Sequence, residues 1–178
     1  MTYVVSFVGD SGSGKTTLIT SLISEFKHRG LRVSTIKHSH HGVDVDYPEK
    51  DTWRMKKAGS FETVLVSNKE IILQRSFEIP YEMSIHEVLA HMFEGVDWIF
   101  VEGFKQSDLL KIEVFSSPPV FDKHLFQSDD FVVAVAFDFN QSPSLNTSLP
   151  LLNINCPLTI TDWILHNQDR FLYSCPLV

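Results

Sequence analysis

Cysteine is scarce in this sequence. Cys156 and Cys175 stand far apart, each before a proline, and no CxxC pair occurs. That argues against a disulfide scaffold or a thiolate metal cage and suits a reducing compartment. A basic excess is missing too: 15 Lys+Arg against 22 Asp+Glu leave a formal net charge of −7. Such a balance argues against a non-specific nucleic-acid binder. No apolar run approaches the roughly 20 residues of a membrane span. No charged segment leading into an apolar core stands at the start. These absences predict a soluble, cytoplasmic protein with neither nucleic acid nor membrane as partner. At 178 residues, 43% hydrophobic and 21% charged, the expectation is one globular domain over residues 1–178.

Glycine is sparse as well, with eight residues, yet three of them crowd into positions 9–14. There the chain reads Gly9-Asp10-Ser11-Gly12-Ser13-Gly14-Lys15-Thr16, then Thr17, which fits G-x-x-x-x-G-K-[ST]. Tyr3 to Val8 before it is a β-branched apolar run, read as a buried strand. Leu18, Ile19, Leu22, Ile23 and Phe26 after it recur at helical spacing, with Gly30 as the stop. Strand, glycine loop and helix is what phosphate binding demands. The glycines let backbone N–H groups converge, and the helix N-terminus adds positive potential. Lys15 is expected to reach the β/γ-phosphates, and the Thr16 hydroxyl to ligate Mg²⁺. The loop lacks the third glycine of a dinucleotide fold, and Asp10 holds the place of the early lysine of deviant P-loops.

A second chemical centre is expected at Asp97 to Lys105, an apolar strand ending in Glu102 and Gly103. P-loop enzymes use an acid so placed to hold Mg²⁺ through water or to polarise a nucleophile, so Glu102 joins Lys15 as a catalytic candidate. Asp97, at the strand's other end, receives no such role. Leu31 to Ile36 reads as a strand delivering Lys37 and His38 to the edge where parallel sheets bind ligands. The following His40, His41, Asp44 and Asp46 look like a functional loop, with Asp46 a candidate Mg²⁺ contact. The histidine spacing matches no zinc pattern. Asp44 and Asp51 are candidates for the same Mg²⁺ contact or for orienting a water; the alternative for Asp51 is to cap a short helix over Thr52–Ala58.

Glu62–Val66 and Glu70–Gln74 flank Ser67-Asn68-Lys69 and read as a β-hairpin, with Val64, Val66, Ile71 and Leu73 on one apolar face. A helix from Ser84 to Gly95, strands over Ile112–Phe115, Phe131–Phe137 and Leu151–Ile154, and a helix over Thr161–Gln168 complete the pattern. The fold class is α/β: a P-loop NTPase fold with a mainly parallel sheet, flanking helices and an inserted hairpin. The guanine-reading N-K-x-D is absent, because Ile71 stands where its aspartate belongs. Asp138, at a strand's carboxyl end, is the candidate base contact.

The stretch Ile36-Lys37-His38-Ser39-His40-His41, running on to Asp51-Thr52-Trp53-Arg54, resembles the MobB family of molybdopterin-guanine dinucleotide biosynthesis adapter proteins. So does Glu102-Gly103-Phe104-Lys105 with Lys111-Ile112-Glu113 downstream. Pro48-Glu49-Lys50 departs from that family's P-G-K. The resemblance implies a GTP-binding adapter with weak hydrolysis that assists a molybdopterin guanylyltransferase in attaching GMP to molybdopterin. It also implies a homodimer joined partly through hairpin 62–74. A small-molecule kinase or ligase of the dethiobiotin synthetase type is the alternative.

Overall fold

A computed structural model of the chain describes residues 1–39, 42, 46–92, 95–115, 124–141 and 145–174. The loop histidines His40 and His41, with Asp44, Phe93 and Cys175, lie outside the described residues. Internal contacts divide the chain into two compact units, residues 1–38 with 85–178, and residues 39–84.

The first unit is built on a six-stranded sheet. Its strands are β1 (Tyr3–Val8), β2 (Val33–Lys37), β5 (Trp98–Glu102), β6 (Lys111–Phe115), β7 (Val132–Phe137) and β8 (Leu151–Asn153). They lie in the order β2-β5-β1-β6-β7-β8, and every pairing is parallel. Parallel strands buried on both faces need near-continuous apolar runs, which β1, β5 and β7 supply. Alternate side chains of β1 and β5 serve the two faces. Val5, Phe7, Trp98 and Phe100 pack beneath α1 (Lys15–His28) and α4 (Pro157–His166), while Val4, Ile99 and Val101 pack against α3 (Ile85–Met92). Helix α1 buries Leu18, Ile19, Leu22 and Phe26, the stripe its spacing predicts, and Gly30 follows its C-cap at φ 78°.

Several element boundaries differ from the sequence reading by a few residues. Helix α4 begins at Pro157, four positions before the expected Thr161, because proline suits the first helical position, where no N–H bond is lost. Strand β6 starts at Lys111, one position before the expected Ile112, and is buried throughout. Its Lys111 is fully buried and answered by Asp129 at 2.9 Å and by the carbonyl of Ser107. Glu113 accepts the N–H groups of Leu125 and Phe126, both at 2.9 Å, which caps a short 3-10 turn. Beyond the start of β6, the vacant side of β1 is taken by the C-terminal segment: Tyr3 bridges antiparallel to Leu172.

The second unit holds α2 (Asp51–Lys57) and an antiparallel pair, β3 (Glu62–Val66) and β4 (Ile71–Arg75). Asp51 sits inside the first turn of α2 and not at its cap, a place taken by Lys50 in extended conformation. Val64 faces Leu73 and Val66 faces Ile71, as an apolar face requires. Leu65 and Ile72 give the other face the same character. None of the described residues of this unit is buried. Ile71 is 70% exposed and Val66 66%.

Candidate functional site

Sheet register builds the site in the first unit. Phe7, Glu102 and Lys37 lie side by side on β1, β5 and β2, at the carboxyl edge where such sheets bind ligands. The chain then leaves β1 through the glycine loop. Gly9 has φ 148°, and a Cβ there would meet the Val114 carbonyl of β6 at 2.1 Å, so only glycine lets the loop turn so close to the sheet. Ser13 donates its N–H to the Asp10 carbonyl at 3.2 Å, and Gly14 opens α1. Lys15, the first residue of α1, folds its ammonium back over the loop and donates to the carbonyls of Gly9 (3.1 Å) and Asp10 (2.6 Å) and to Ser13 Oγ (3.2 Å). The loop's own backbone therefore holds this cation at its mouth. Ser11, Gly12 and Thr17 line the exposed side of loop and helix start, where their groups face solvent.

Thr16 donates its hydroxyl to Glu102 Oε2 at 2.8 Å, while Lys37 pairs with Glu102 Oε1 at 3.3 Å. The acid named from sequence thus joins two of the residues named with it. His38 donates its backbone N–H to the Glu102 carbonyl at 2.9 Å, and its ring stacks on Phe104 with centroids 4.3 Å apart. Asp97 keeps to structure, accepting the Arg32 N–H at 2.7 Å.

Partial burial depresses the Lys15 pKa below its ordinary value. Glu102 opposes that shift, Lys105 adds to it, Asp10 opposes it and Lys37 adds again. Three lysines and two carboxylates therefore share one small region, an arrangement that favours an incoming anion. Lys105, which the sequence reading placed in the Glu102–Lys105 motif but not in the site, has its ammonium 3.2 Å from Asp10 Oδ1.

Asp138 follows β7, and its Oδ1 accepts from Asn140 N (3.0 Å), Asn140 Nδ2 (2.9 Å) and Asn155 Nδ2 (2.8 Å). The two asparagines were not foreseen. The neighbouring Ile154 side chain comes 3.1 Å from where a Cβ on Gly14 would stand, so the end of β8 abuts the glycine loop. Asp46 belongs to the second unit, where its Oδ1 accepts the Tyr47 N–H at 2.9 Å.

The Thr16 hydroxyl beside a carboxylate is an all-oxygen donor set of the kind that suits Mg²⁺. Among the described residues, no cluster of three or more His, Cys, Asp or Glu could hold a metal by itself.

A parallel sheet, a glycine loop capping a helix after β1 and an acid closing β5 together define a P-loop fold. The chain belongs to the MobB family: the profile described as "Molybdopterin guanine dinucleotide synthesis protein B" matches residues 4–138. It is 39% identical over 163 residues to the molybdopterin-guanine dinucleotide biosynthesis adapter protein of Haemophilus influenzae, covering 90% of this chain and 86% of that one. To the Escherichia coli protein of the same name it is 34% identical, covering 94% of each. Solved structures agree in fold. A crystal structure of molybdopterin-guanine biosynthesis protein B superposes with a TM-score of 0.72 at 23% identity, covering 92% of this chain and 99% of that one. The MobB homologue from Bacillus stearothermophilus gives 0.68 at 20% identity, covering 93% and 97%.

Proposed function

We propose that this protein is a GTP-binding adapter that assists a molybdopterin guanylyltransferase in attaching GMP to molybdopterin. The observation that carries the reading is full-length similarity to two proteins named as adapters of that biosynthesis. The geometry supports it. Loop 9–16 supplies converging N–H groups and Lys15 for the phosphates, and Thr16 with Glu102 would hold Mg²⁺, which supplies charge neutralisation between phosphate oxygens when bound. Asp138, its Oδ1 engaged by two asparagines, is the carboxylate placed to accept a base N–H in this reading. No helix among the described residues is long and apolar enough to cross a membrane, in keeping with a cytoplasmic adapter.

The described hairpin exposes apolar side chains on both faces and none of the described residues of its unit is buried, which favours a homodimer that covers it. Hydrolysis is slow in this reading. The cations paired at the site are lysines, and an arginine finger is worth about 10³–10⁵ in rate.

The test is calorimetric titration with Mg-GTP, followed by GTP turnover with and without a purified guanylyltransferase and molybdopterin. Tight GTP binding, turnover alone at about 10⁻² s⁻¹ or below, and faster dinucleotide formation with the chain present are expected. Rapid phosphorylation of a small acceptor with no protein partner would replace the adapter by a kinase.

A further inference from the structure

Lys105 holds an unusual place. The turn that presents it runs through Gly103 at φ 101° and Phe104 at φ 50°, two successive left-handed residues. A large side chain rarely adopts that backbone, and such strain persists where surrounding contacts enforce it. Here they do. A Cβ on Gly103 would meet His38 Cβ at 2.9 Å, the Phe104 ring stacks on the His38 imidazole, and the Gly103 carbonyl accepts the buried Ser6 hydroxyl at 3.1 Å. The Gly103 N–H is spent on the Phe7 carbonyl at 3.2 Å. Three contacts and the close approach to His38 therefore fix a turn whose next residue extends its side chain across the loop to Asp10.

The Lys105–Asp10 pair itself is weakly held. The two side chains are 46% and 82% exposed, and exposed ion pairs contribute at most about 1 kcal/mol. Strained backbone is thus maintained to aim a cation whose present partner binds it little. Asp10 is a loop residue beside the expected phosphate position, so a multiply charged phosphate there competes directly for the same ammonium.

We propose that Lys105 is a phosphate-contacting residue that distinguishes nucleoside triphosphate from diphosphate, exchanging Asp10 for the terminal phosphoryl group. This inference rests on the nucleotide-binding reading of the loop. The chemistry is that of a point charge: lysine suits a terminal phosphate with three oxygens and needs no bidentate geometry. Lys15, pinned by loop carbonyls, serves both nucleotides, whereas Lys105 gains only when the third phosphate is present. Asp10 acts as a counterweight that holds the lysine back until the third phosphate competes for it.

The experiment compares Mg-GTP and Mg-GDP affinity by calorimetry for the full chain and for Lys105→Met, Lys105→Arg and Asp10→Asn, with thermal melting to verify folding. Lys105→Met should weaken GTP about tenfold or more while GDP changes less than about twofold. Lys105→Arg should recover most of the loss. Asp10→Asn should tighten GTP about three- to fivefold, a gain that vanishes in the double variant. If the parent chain binds both nucleotides and Lys105→Met leaves their affinity ratio unchanged, this proposal falls while the nucleotide-binding reading stands. Equal weakening of GTP and GDP also overturns it, as a general charge effect. If the parent chain binds neither nucleotide, both readings fall together.

Discussion

The hydroxyl of Thr16 donates to Oε2 of Glu102 at 2.8 Å, joining the first turn of α1 to the last residue of β5. One carboxylate thus faces the helix start on one side and Lys37 on the other. Replacing it isolates its role. Glu102→Gln is expected to leave GTP affinity in EDTA unchanged and to cut the Mg²⁺-dependent gain about tenfold to a hundredfold. Lys37 is 63% exposed and can hydrate, so thermal stability should hardly move. Titrations with and without Mg²⁺ give the answer, and an unchanged Mg²⁺ effect counts against Glu102.

Lys15 can be removed without harming the fold, because its side chain is only partly buried and its bonds go to its own loop. Lys15→Ala should cost about 2–5 kcal/mol of GTP binding, thirtyfold or more. Melting temperature should stay within a degree or two. Undiminished affinity in calorimetry would remove the phosphate role of the loop.

The buried pair Lys111–Asp129 responds unequally to its two possible lesions. Asp129→Asn leaves an ammonium uncompensated in the core and should cost about 3–5 kcal/mol. Lys111→Met replaces the charge by an apolar chain of similar volume and should cost far less. Urea denaturation of both variants tests the asymmetry, and equal losses would contradict it.

A charge pair placed on the hairpin tests its exposed face. Val66→Glu with Ile71→Glu sets two like charges opposite each other on neighbouring strands. Sedimentation should show a dimer for the parent chain and a monomer for the variant, with the sheet-bearing unit still folded. A parent chain that is monomeric at micromolar concentration would end the dimer reading.

The legible parts of this protein are those whose physics is local. Glycines 9, 12 and 14 before Lys15 announce a loop because no other residue types make that turn, and Tyr3–Val8 and Trp98–Val101 announce buried strands by composition. Glu102 was readable because it ends one of them. Lys105 was readable only as part of the Glu102-Gly103-Phe104-Lys105 resemblance, and its reach to Asp10 shows only once the left-handed turn is seen. The burial of Lys111 and Glu113 in β6 was not legible either, because the groups that answer them, Asp129 and the 124–127 turn, lie further along the chain. Asn140 and Asn155 gather on Asp138 only through tertiary folding.

The order of the sheet also sets a timetable for synthesis. β1 emerges first from the ribosome, but β2, the next strand made, is separated from it by β5. Both neighbours of β1 lie at residues 98–115, so its pairing must wait for the second half of the chain. Such long-range closure is slow to form. The glycine loop, written near the start of the message, therefore takes shape only late in translation. Chains stalled at residue 95 should leave that loop open to protease, while chains extended well past Phe115 should begin to protect it. Whatever anion the loop holds reports that the polypeptide has been made past Phe115.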